Sequence, residues 1–103
     1  MKGICDGKRY DTDRAEELAC ASFAAKDDPA HWEECLFRTE RGAFFLAATG
    51  GPESKYGVPV DMQRFGPGER IVPLEPDKAL RWAEQNAPMD VIERAFASII
   101  QDA

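Results

Sequence analysis

The residues suited to chemistry are three cysteines, one histidine, a Ser-Lys-Tyr triplet and two adjacent glutamates. Cys5, Cys20 and Cys35 recur every 15 positions without a C-x-x-C pair, and His31 is the sole histidine. Zinc sites draw on close ligand pairs and four donors, so this set is a poor match, and no metal or other cofactor is expected. A Cys35–His31 nucleophile pair would need the imidazole to face the thiol. Four positions along a strand span roughly 13 Å, which keeps the two apart. Cys20, between Ala19 and Ala21, reads as a small packing residue. Glu33 and Glu34 point to opposite faces of a strand, so they cannot share a substrate.

Gly50-Gly51-Pro52-Glu53-Ser54-Lys55-Tyr56-Gly57 invites a phosphate-loop reading. In such loops the lysine follows a glycine and opens a helix, whereas Lys55 follows Ser54 and precedes Tyr56. The glycines then serve a sharp exit from the preceding strand, with Tyr56 packing back and Lys55 solvated. Ser54, Lys55 and Tyr56 remain the one loop on which a small enzyme could be built. Trp32 and Trp82 read as packing anchors, because base stacking would need a basic groove beside them.

Such a groove is disfavoured by the charge balance. The 103 residues carry a net charge of -6, and it is uneven. Asp11, Asp13, Glu16, Glu17, Asp27, Asp28, Glu33, Glu34 and Glu40 face only Arg14, Lys26 and Arg38 between positions 11 and 40. A chain of this kind is repelled by phosphate backbones, so direct nucleic-acid binding is not expected, and a basic protein surface is the natural partner. Three cysteines, an odd count, argue against a disulfide framework and for a reducing cytoplasm. The N-terminus lacks the apolar segment of a secretory signal, and no apolar run approaches the ~20 residues of a membrane span.

These side chains must be positioned by one α+β domain over 1–103, a small antiparallel sheet made of an N-terminal hairpin, a central hairpin and an edge strand, packed by one early helix and two C-terminal helices. Asp6-Gly7 supplies a tight hairpin turn between strands Lys2–Cys5 and Lys8–Asp11. Thr12 and Asp13 are N-cap residues, and Ala15, Leu18, Ala19, Ser22 and Phe23 share a helical face, predicting a helix that ends near Lys26 before Asp27-Asp28-Pro29. A second hairpin turns at Thr39-Glu40-Arg41-Gly42, and its apolar arm Ala43–Ala48 predicts a central strand. Val58-Pro59-Val60 and Arg70–Leu74 read as edge segments, each holding a proline. Pro76 suits a helix N-terminus, and Met89, Ile92, Phe96, Ile99 and Ile100 form a stripe along a last helix at 88–102, a possible appendage.

Several pieces together resemble one small family of uncharacterised bacterial proteins carried on plasmids, integrative elements and phages. The resembling residues are Gly7-Lys8-Arg9-Tyr10-Asp11-Thr12 with Ala15, then Arg38-Thr39 and Gly42-Ala43-Phe44-Phe45-Leu46. Gly50-Gly51, Ser54-Lys55-Tyr56, Ile71-Val72-Pro73-Leu74, Ala79 and Trp82 complete the string, which spans residues 7–83. Family members usually end soon after the tryptophan helix, so the helix at 88–102 departs from the pattern. The resemblance implies no activity. It implies a setting, mobile-element cargo, which often includes small acidic inhibitors such as anti-CRISPR and antirestriction proteins.

The leading expectation is therefore a non-enzymatic protein-binding module, an inhibitor whose residues Asp11, Asp13, Glu16, Glu17, Asp27, Asp28, Glu33 and Glu34 engage a basic, nucleic-acid-binding surface of a host defence protein. On the expected helix Asp13, Glu16 and Glu17 would stand about 4.5–6 Å apart along its axis, comparable with phosphate spacing in DNA. A different class is a self-association module, monomer or homodimer, contacting through Met89, Ile92, Phe96 and Ile100. The third is the small enzyme of the Ser54-Lys55-Tyr56 loop.

Overall fold

The computed structural model describes all 103 residues, and the chain is α+β. Strands β1 (Lys2–Cys5) and β2 (Lys8–Asp11) form the first hairpin. Its turn holds Asp6 and Gly7 at φ 51° and 75°, the geometry an Asp-Gly turn supplies. The main sheet has four antiparallel strands in the order β3 (Ala15–Phe23), β4 (Trp32–Thr39), β5 (Phe44–Gly50), β8 (Gly68–Leu74). Between β5 and β8 a two-stranded ribbon pairs β6 (Val58–Pro59) with β7 (Phe65–Gly66). Helices α1 (Pro76–Asn86) and α2 (Met89–Ala95) follow.

The sheet is the middle of three layers. On one face Leu18, Leu36, Phe44 and Leu46 pack against Ala79 and Ala83 of α1 and Phe96 after α2. Phe44 and Phe96 stack with centroids 4.7 Å apart. On the other face Phe37 and Phe45 meet Tyr10 of the hairpin, with Cys5, Ala15, Ala47 and Ile71 around them. The alternation Phe44/Leu46 against Phe45/Ala47 thus covers both faces of β5, as expected of a central strand. The β4–β5 turn is also where the sequence put it, with Gly42 at φ 85° and Ala43 donating to Thr39 Oγ1.

Four expectations need correction. The N-terminal hairpin does not join the main sheet but pairs only with itself and covers one face of it. The segment read as the first helix is strand β3. Its capping signals close only a 3₁₀ turn, Thr12–Arg14, where the Asp13 amide donates to Asp11 Oδ1. Alanine, glutamate and leucine favour helix, but the open margin of β4 offers a full ladder and cross-strand partners, and tertiary pairing overrides propensity. The last helix stops at Ala95 instead of 102; Phe96 caps it, with amides of Ile99 and Ile100 bonding back to the Phe96 carbonyl. Finally, Cys20 and Cys35 are joined by a disulfide, leaving only Cys5 free. The odd count had hidden a single bond between two strands in register.

Candidate functional site

Two places gather functional side chains. The first is built around Glu34, the buried charged residue of the chain. Alternation along β4 sends Glu33 to solvent on the hairpin face and turns Glu34 inward on the helix face. Glu34 accepts from the Trp82 indole Nε1 at 2.9 Å and from the Tyr56 hydroxyl, and pairs with Lys55 Nζ at 2.8 Å. Lys55 also lies 4.6 Å from the centre of the Trp32 ring, and Arg70 5.6 Å from that of Tyr56. Burial works against ionisation of Glu34, but hydrogen bonds from Lys55, Tyr56 and Trp82 outweigh it and hold the carboxyl below the usual range. Burial and donation to that carboxylate raise the Tyr56 phenol.

The loop that delivers Lys55 and Tyr56 is fixed locally. Ser54 Oγ donates to the Gly51 carbonyl at 2.7 Å and accepts from the Tyr56 amide at 3.1 Å. Gly51 runs so close to the preceding loop that a Cβ there would overlap the Pro29 carbonyl. The Gly51 amide donates to the His31 carbonyl, and Glu53 to that of Pro29. All three residues of the triplet are thus engaged. Ser54 closes a turn, Lys55 neutralises a carboxylate, and Tyr56 donates its proton to that carboxylate instead of accepting one. The result is a clasp that ties the 50–57 loop, β4 and α1 together. His31 Nδ1 sits 3.1 and 3.0 Å from the carbonyls of Phe23 and Ala24, and must donate to them. Cys35 is disulfide-bonded, so no thiol–imidazole pair exists.

The second place is the free margin of the sheet. No strand lies beyond β3. Cys20 faces Cys35 with Cα atoms 4.0 Å apart, the close spacing of a non-hydrogen-bonded pair. The amides and carbonyls of Cys20 and Ser22 therefore point outward from the ladder. Leu18–Phe23 carries no charge, no proline and no lysine to blunt this margin. Phe23 is 55% exposed and stacks on Trp32 at 6.2 Å.

The eight acidic residues singled out from sequence do not form one array. With β3 a strand, Asp13, Glu16 and Glu17 are not spaced along a helix. Glu16 pairs with both Arg38 and Arg94 at 2.8 Å, and the Arg38 bond, then that of Arg94, hold its carboxyl low. Glu34 is consumed by the clasp. Asp11 caps the 3₁₀ turn. Glu17 and Glu33 emerge on the hairpin face, Glu17 beside one end of the uncharged stretch. Asp27 and Asp28 lie exposed in the loop after its other end, where Asp28 Oδ1 accepts from the Ala30 amide. None of Asp13, Glu17, Asp27, Asp28 and Glu33 enters an ion pair.

The C-terminal stripe is divided as well. Phe96 is 1% exposed and Ile92 packs on the core, whereas Met89 and Ile100 remain exposed. No helix is long and apolar enough to cross a membrane. No family model, no curated protein and no solved structure matches this chain.

Proposed function

We propose that the chain is a non-enzymatic binding module that takes an extended, basic segment of another protein along the margin of β3. The observation that carries this reading is an open, uncharged stretch of edge strand, Leu18–Phe23, with Glu17 just before it and Asp27 and Asp28 in the loop after it. Cys20 and Ser22 offer outward backbone donors and acceptors, and an extended peptide satisfies these by adding a strand. Glu17 at one end and Asp27 and Asp28 at the other attract lysine or arginine flanking that strand.

The resemblance to mobile-element cargo adds the biological setting of this proposal. The partner is then a basic, nucleic-acid-binding surface of a host defence protein, and occupying it excludes the nucleic acid. The test is capture from host lysate at two salt concentrations with three proteins. They are the wild type, a charge variant (Glu17→Gln, Asp27→Asn, Asp28→Asn, Glu33→Gln) and Ser22→Pro, which removes an outward amide without touching the ladder to β4. The reading expects a basic partner retained by wild type, released by added salt and lost from both variants. Equal recovery of the same partner by all three overturns it.

A further inference from the structure

Residues three apart on a regular strand point to opposite faces. Glu17 and Cys20 do not, because the ladder shifts register between Glu17 and Ala19. This bulge inserts one residue, so Glu17 opposite Phe37 and Cys20 opposite Cys35 emerge on the same face. A carboxylate oxygen of Glu17 and the two sulfurs lie within 4.8 Å of one another. Bulges occur at sheet edges and beside sites, and this one re-aims the Glu17 carboxylate toward the two sulfurs.

We propose that, with the disulfide reduced, Cys20, Cys35 and Glu17 bind one thiophilic divalent cation of the zinc class. Two thiolates and a carboxylate suit a borderline-soft ion that accepts tetrahedral S₂O coordination, with water in the fourth position. Metal–ligand bonds of about 2.0–2.3 Å set neighbouring ligand atoms about 3.5–3.8 Å apart. The carboxylate reaches that spacing by a change of rotamer, and the two sulfurs do so once their bond is open, since their strands stay in register. Glu17 and Cys20 are both exposed, so an ion has access from solvent.

The chemistry balances with a dithiol as reductant. Its two sulfurs join as a disulfide while the Cys20–Cys35 bond breaks, and its two protons and two electrons pass to the protein sulfurs. Binding of the cation then releases those two protons and forms two metal–thiolate bonds. Oxidised chain keeps only the Cys5 thiol, which is outside this ligand set, and so has no such site.

The test uses Co²⁺ as the probe on the full chain, reduced with a dithiol and freed of it under anaerobic conditions. Circular dichroism is recorded on the same samples. The expected result is one Co²⁺ per folded, reduced chain, with thiolate-to-cobalt charge-transfer absorption that Zn²⁺ abolishes. Oxidised chain should give no such absorption, and Cys20→Ser should lose it. Cys5→Ser should keep it unchanged. Glu17→Gln should bind about tenfold more weakly or worse, since a direct ligand matters no less than the outer partners of a metal site. Absence of the absorption in reduced wild type, its persistence in Cys20→Ser or in oxidised chain, its loss in Cys5→Ser, undiminished affinity in Glu17→Gln, or unfolding of the chain on reduction would each overturn the assignment.

Discussion

Replacing Tyr56 with phenylalanine removes one oxygen from the clasp and little else. The ring stays, so its packing and the Arg70 contact at 5.6 Å survive. What is lost is a hydrogen bond to the Glu34 carboxylate, itself only 5% exposed. Hydrogen bonds to charged groups contribute about 1.5–3 kcal/mol. Glu34 keeps its Trp82 and Lys55 partners at 2.9 and 2.8 Å, so it is not stranded without a donor. The expected loss is therefore near the lower part of that range, about 2 kcal/mol. Urea unfolding of the oxidised chain, followed by tryptophan fluorescence, measures it as a shift in midpoint at unchanged slope. A variant indistinguishable from wild type would refute the clasp as a stabilising element. A variant that failed to fold would show that the phenol does more than the geometry accounts for.

Four further outcomes follow from particular contacts. Because the folded-state carboxyl of Glu34 is held below its unfolded value, its contribution is present above about pH 4.5 and lost as pH falls through the folded value. Wild type should thus lose urea resistance more steeply in acid than Glu34→Gln, which is weaker near neutrality but flatter. Phe96→Ala empties the space stacked against Phe44 and should cost about 3–5 kcal/mol, read by thermal melting. Reducing the Cys20–Cys35 bond, which closes a separation of 15 residues, should lower stability by about 3 kcal/mol in a urea titration with and without reductant. Lys55→Met should destabilise less than Trp82→Phe in the same assay, because Lys55 is 57% exposed and solvent screens its pair.

How far the sequence could lead depends on which interactions are local. The two hairpins were legible, since Asp6-Gly7 and Gly42 mark their turns and Phe44–Ala48 marks a strand covered on both faces. Pro76 likewise located the start of α1. The stretch Ala15–Phe23 was not legible, because its composition favours helix and only the margin of β4 makes it a strand. That one misreading hid the rest. With Ala15–Phe23 antiparallel to Trp32–Thr39, Cys20 falls opposite Cys35 and Glu16 opposite Arg38, but a helix makes neither pair visible. Glu34 could have been found. On the face it shares with Trp32 and Leu36, Glu34 is the one acid of a half-buried strand and requires donors, and Lys55, Tyr56 and Trp82 were each noted separately. What joined them was the path of the 50–57 loop over Pro29, which no pattern of residue types encodes.

The margin of β3 is the place where the functional account is most directly exposed to measurement. Amide hydrogen exchange can be followed at Cys20 and Ser22, free and with the captured basic partner bound. The account predicts rapid exchange at both amides in the free chain and strong slowing in the complex. Unchanged exchange there, with slowing confined to α1, α2 or the first hairpin, would contradict it.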